Sequence, residues 1–175
     1  MHSLIYPQWM LDIVAPGEVY THDVAIMTKA ITVTLTALAR GCGGRFGAII
    51  ATDEGRIVAL AHNEVRQTFD VTAHAEMLAL RRSGQALRTI TLQEHHGVRL
   101  RLFTTCEPCV MCAGAIYWSG LSEVIAATRK DDAVAAGIRQ EQVLETATFF
   151  ARQQIIYRPD FLREEALEIF RVSYH

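Results

Sequence analysis

Between residues 22 and 40 the apolar side chains Val24, Met27, Ile31, Leu35 and Leu38 recur at three- and four-residue steps, a helical stripe that Gly41, Gly43 and Gly44 bring to an end. Two short apolar runs follow, 46–51 and 56–61, parted by Thr52-Asp53-Glu54-Gly55, and together they predict a β-hairpin. Residues 72–82 return to a helical pattern that ends near Gly84, and 98–104 predicts a strand in which arginines alternate with apolar positions. Pro108 starts a further helix that runs to Gly120, because proline is tolerated in a helix's first turn, where its missing N–H has no intrahelical partner. Beyond it, 123–127 reads as a strand, 131–136 as a short helix, 153–157 as the last strand and 163–172 as a closing helix, while 139–152 is compatible with helix or loop. Residues 1–22 hold Pro7, Pro16 and Gly17 without a sustained period, so they read as an irregular arm packed on a domain spanning 23–175. Five strands interleaved with helices predict an α/β fold of three layers, a mixed sheet with parallel crossovers and helices on both faces.

Composition changes this picture little. A chain of 175 residues, half of them apolar and about a fifth charged, has enough to bury one sizeable core. No run approaches the roughly 20 apolar residues of a membrane span, and no cationic stretch leads into an apolar one near residue 1, so a cytoplasmic protein with no membrane partner is expected. A net charge of −2 supplies no general attraction to nucleic acid, although Arg81-Arg82 and the Arg99/Arg101 pair are locally basic; a small-molecule partner is favoured.

The cysteines change it more. Three of the four, Cys106, Cys109 and Cys112, crowd into seven residues, unlike a secreted disulfide framework. Cys109 and Cys112 lie three apart at a predicted helix start, on one face, where the helix dipole favours thiolates and so metal ligation. A catalytic zinc needs about three protein ligands and an open position. His74, in "TAHAEMLAL" at another predicted helix start, is the third candidate, and two residues on Glu76 offers a carboxylate for moving protons. A redox pair would want a thioredoxin-like setting that Pro108 and its context do not supply. An iron-sulfur centre would want a fourth cysteine shortly downstream. Cys106 then reads as a core residue or one backing the ligands.

His74-Ala75-Glu76 with Pro108-Cys109-Val110-Met111-Cys112 is the His-x-Glu and Pro-Cys-x-x-Cys pattern of zinc nucleobase deaminases. The chain resembles the cytidine-deaminase-like superfamily, in the branch of guanine deaminases, yeast-type cytosine deaminases and bacterial tRNA adenosine deaminases, over roughly residues 23–173. The resemblance implies Zn²⁺ as cofactor, a five-stranded cytidine-deaminase-like fold and release of ammonia from an amino-substituted nucleobase or nucleoside, with a guanine-type purine favoured. A looped-out tRNA adenosine and a cytosine or aminotriazine are the alternatives. It implies Glu76 as the proton-transferring group and Asn63 as a hydrogen-bond partner of the base. Backbone N–H groups at Ala75 and Cys109, exposed at helix starts, are candidates for holding the adduct. Phe46 and Trp118 match aromatic pocket positions, and Tyr174 matches a C-terminal aromatic that closes the pocket.

A homodimer is implied as well, and Ile116, Tyr117 and Trp118 in succession put apolar residues on more than one helix face, which calls for burial beyond the helix's own sheet. The chain departs from the pattern at three places. Arg45 stands where GGPFGA has proline, Val71 where DPTAHAE has proline, and Gln140, followed by Glu141, where guanine deaminases carry an acid. A zinc-stabilised scaffolding module is the competing class of function, and Glu76, which such a module does not need, speaks against it.

Overall fold

The computed structural model describes residues 6–93, 97–138 and 145–172, and the chain runs α1 (Gln8–Leu11), α2 (Asp23–Ala39), β1 (Gly47–Thr52), β2 (Ile57–His62), α3 (Val65–Thr68), α4 (Ala75–Leu87), β3 (Leu100–Cys106), α5 (Val110–Ser119), β4 (Glu123–Thr128), α6 (Lys130–Ala135), α7 (Thr146–Arg152), β5 (Ile156–Arg158) and α8 (Arg163–Arg171). The strands form one mixed sheet in the order β2-β1-β3-β4-β5. β1 is antiparallel to β2 and β3, and β3, β4 and β5 are parallel.

Register distributes the core. Ile49, Phe103 and Ile125 pair across three strands and face one layer, and Ile50, Leu102 and Val124 pair one step along and face the other, as the two-residue period of a strand requires. The first set packs with Ile26, Met27 and Ile31 of α2 and Ile169 of α8. The second packs with Ala79 of α4, Ile116 of α5 and Phe150 of α7. β1 and β2 are buried along their whole length, so neither shows the alternation of a half-wet strand.

Several boundaries differ from the sequence expectation. α4 begins three residues later than predicted and passes Gly84, because Gln85, Ala86 and Leu87 carry it to a left-handed Arg88. Pro108 lies outside its helix, not in the first turn: Cys109 is the N-cap and Val110 the first helical residue. The last strand keeps only 156–158, since Gln153 caps α7 and Gln154 turns with φ of 58°. Residues 146–152, left open by the pattern, are helical, and the turns α1 and α3 are additional. The arm does pack on the molecule, with Met10 and Val14 wholly buried.

The same register fixes where chemistry can gather. Gly47 pairs with His62, Ala48 with Thr104 and Cys106 with Thr128, so the start of β1 and the ends of β2, β3 and β4 meet at one end of the sheet. Phe46, Asn63, Glu107 and Arg129, the residues next in the chain, therefore share that end. Open α/β sheets commonly bind ligands in this region.

Candidate functional site

His74 and Cys109 are the N-cap residues of α4 and α5, both with extended backbone, and Cys112 lies buried in the first turn of α5. Their donor atoms form a triangle: His74 Nδ1 is 3.6 Å from each sulfur, and the two sulfurs are 3.6 Å apart. A tetrahedral zinc with Zn–S bonds of about 2.3 Å and Zn–N bonds of about 2.05 Å needs its sulfurs about 3.8 Å apart and each sulfur about 3.6 Å from the nitrogen. The triangle therefore fits zinc without rearrangement, and among the described residues it is the cluster able to hold a metal ion. The Cys112 hydrogen bond, opposed by burial and aided by His74, holds the Cys109 thiol down to about 4, whereas that hydrogen bond and burial push Cys112 up.

Glu76, in the first turn of α4, is only 6% exposed, and burial pushes its carboxyl up to about 7. It lines a cavity of about 30 Å³ with Phe46, His74, Glu107 and Cys109, enough room for one water-sized group. Alongside opens a pocket of about 430 Å³ whose wall includes Arg45, Phe46, Asn63 and His74, with Ala136, Gly137 and Ile138 following α6. That volume lies in the range of small-molecule sites. Ala75 is the first helical residue of α4, so its N–H belongs to the group that the helix itself cannot satisfy.

The relative placement of Asn63 and His74 is built from the backbone. Asn63 N–H donates to the Phe46 carbonyl at 2.8 Å, its own carbonyl accepts from Gly44 at 2.9 Å, and Glu64 N–H reaches the Ala73 carbonyl at 3.0 Å. Gly44 has to lack a side chain here, since a Cβ would stand 2.7 Å from Asn63 Oδ1. Arg82 of α4 then ties the two segments, donating to Glu64 at 2.9 Å and to the Leu60 carbonyl at 2.9 Å. Behind Asn63, burial holds His62 below the usual histidine range, and the arm's Trp9 ring packs on it with centroids 5.6 Å apart.

Sequence reasoning passed over several supporting groups. Gly47 N–H donates to Thr105 Oγ1, and Thr128 Oγ1 donates to the Thr105 carbonyl, a buried polar seam under the cysteine loop. Glu107 forms a buried ion pair with Lys130 at 3.5 Å, joining that loop to α6. The string TTCEPC displayed Thr105 and Glu107 beside the cysteines; nothing local pointed to their partners 23 residues on.

Trp118 lies apart from the pocket within the single chain. It follows Cys112 by six residues, which turns it away from the metal face, and it stands 80% exposed in a separate groove of about 610 Å³ with Arg88 and Ile90. Within one protomer it does not meet the pocket. Tyr174, and Gln140 with Glu141, lie outside the described residues. Cys106 is buried, its thiol pushed up to about 12 by burial, and it is not part of the donor triangle.

The family profile described as the cytidine and deoxycytidylate deaminase zinc-binding region matches residues 20–128. A guanine deaminase of Bacillus subtilis is 40% identical over 111 residues, covering 63% of this chain and 67% of that protein. A tRNA-specific adenosine deaminase of Aquifex aeolicus is 43% identical over 79 residues, covering 45% of this chain and 48% of that one. Among solved structures, a guanine deaminase from Nitrosomonas europaea superposes with a TM-score of 0.87 at 26% identity, over 98% of this chain and 94% of that chain.

Proposed function

The chain belongs to the cytidine and deoxycytidylate deaminase zinc-binding family, and from that premise we propose that it hydrolyses the exocyclic amino group of a guanine-type purine, releasing ammonia. The observation that carries this reading is the buried Glu76 beside a 3.6 Å donor triangle that opens into the pocket walled by Asn63.

His74, Cys109 and Cys112 would hold the zinc, whose charge would make a water nucleophilic near neutral pH. Glu76 would take one proton from the attacking water and give it to the ring nitrogen as the C–O bond forms, then take the second proton from the adduct's hydroxyl and hand it to the departing amine as the C–N bond breaks. Its burial suits that task, because a carboxyl raised toward neutrality both takes and returns a proton. Asn63 would offer a donor and an acceptor to the base edge, and the backbone N–H groups at Ala75 and Cys109, at the starts of α4 and α5, would be the donors for the oxygen that gains charge. Phe46 gives the ring an apolar wall. A carbonyl then stands where the amino group stood.

The working form in this reading is a cytoplasmic homodimer. Among the described residues no helix is long and apolar enough to cross a membrane. Trp118 and the fully exposed Ile90 line one apolar groove on the outer side of α4 and α5, the surface a second copy would cover.

Two measurements test the function. Elemental analysis of protein made with zinc available is expected to give one zinc per chain. An ammonia-release screen against guanine, guanosine, adenine, cytosine, cytidine, aminotriazines and a tRNA anticodon stem is expected to respond first to guanine. Turnover of the tRNA stem alone would assign the chain to the activity named for its Aquifex relative.

A further inference from the structure

Arg45 lines the proposed base pocket, yet its guanidinium reaches to the far end of the described chain. One terminal nitrogen donates to the Ile169 carbonyl at 2.7 Å and the other to the Val172 carbonyl at 2.6 Å. Both carbonyls belong to the end of α8, where backbone acceptors lack intrahelical partners and the helix dipole is negative. The next residue grips the same turn from a second side: the Phe46 and Phe170 rings meet in a T-shaped contact with centroids 6.3 Å apart. Two consecutive residues thus line the pocket and hold the last turn of α8.

We propose that Arg45 is a positioning residue for the substrate base: by holding the end of α8 against Phe46, it fixes the orientation of the aromatic wall of the pocket. The inference rests on the reading of that pocket as the base site. The local backbone does not need the clamp, since Gly44 and Phe46 are already tied to Asn63 by main-chain hydrogen bonds of 2.9 and 2.8 Å. What the clamp controls is the Phe46 ring, whose packing partner Phe170 rides on the helix that Arg45 secures. Arginine suits the task because its planar fork engages two carbonyls at once, whereas a lysine ammonium is a point charge. Proline, the residue of the GGPFGA pattern at this position, offers no donor at all.

The test is steady-state kinetics of the wild type, Arg45→Ala, Arg45→Lys and Phe170→Ala, with whichever base of the ammonia-release screen the wild type consumes, below the unfolding range of every variant. Arg45→Ala is expected to raise KM about tenfold while kcat stays within about threefold, the signature of lost binding rather than lost chemistry. Arg45→Lys should recover part of the loss, Phe170→Ala should reproduce it, and zinc content should not change. Amide hydrogen exchange should accelerate at the last turn of α8 in Arg45→Ala. A wild-type KM in Arg45→Ala overturns the inference, even if exchange accelerates. So does a fall in kcat with KM unchanged. If Arg45→Ala does not fold, Arg45→Lys and Phe170→Ala with wild-type KM overturn it equally. A wild type that consumes no base of the screen overturns the proposed function, and this inference with it.

Discussion

Glu76 sits two residues from a metal-ligand candidate and is nearly sealed from solvent, a costly place for a carboxylate that moves no protons. Glu76→Gln keeps the shape and removes the exchangeable charge. The expected outcome is unchanged zinc content and thermal midpoint with kcat lower by about 10² or more, the scale of general acid-base catalysis, read by ammonia release and elemental analysis. This residue, His74, Cys109 and Cys112 were legible in the sequence because ligand chemistry and a three-residue helical step are local properties. The placement of Trp118 was not legible, because aromatic identity carries no direction: six residues of helix turn a side chain away from Cys112, and only the fold shows which groove of the chain it then lines. The Glu107–Lys130 and Glu64–Arg82 pairs were illegible for a related reason, since their partners meet only after the sheet forms.

The helix α2 was readable almost to the residue because its apolar stripe is long, and β5 was not, because three residues are too few to show a period. The start of α2 also carries charge. Asp23 is buried enough to raise its pKa, but Arg158 and Arg101 outweigh that and hold the carboxyl below its usual range. Its contacts are Arg101 at 2.9 Å and Arg158 at 2.6 Å, and Glu123 shares Arg158 at 3.2 Å. A depressed folded-state pKa contributes stability above the unfolded value of about 3.9, and that contribution is lost as pH falls through the folded value. Asp23→Asn is therefore expected to lower the thermal midpoint at pH 7 and to flatten its decline below about pH 4, as a pH series of melting curves would show. A parallel decline in both proteins would place the acid sensitivity elsewhere.

For the whole molecule, the groove holding Trp118 and Ile90 sets the assembly prediction. With a second copy covering it, Trp118→Asp should give a monomer by light scattering at micromolar concentration, with zinc retained; a wild type that is itself monomeric there removes the homodimer. The N-terminal arm carries a different consequence. β2 is the outermost strand on its side of the sheet, and its backbone is met by the arm: Gly17 N–H donates to the Ile57 carbonyl at 2.7 Å, Ile57 N–H donates to the Glu18 carbonyl at 2.8 Å, and Val19 bridges to Arg56. Stripped of that cover, Gly55, Arg56 and Ile57 would lose their partners and leave the entry of an apolar strand bare, a template onto which strands of other molecules can add. A chain beginning at Thr21 should therefore turn cloudy and bind amyloid dyes at concentrations where the full chain stays clear, so that the arm acts as a guard against self-propagating aggregation.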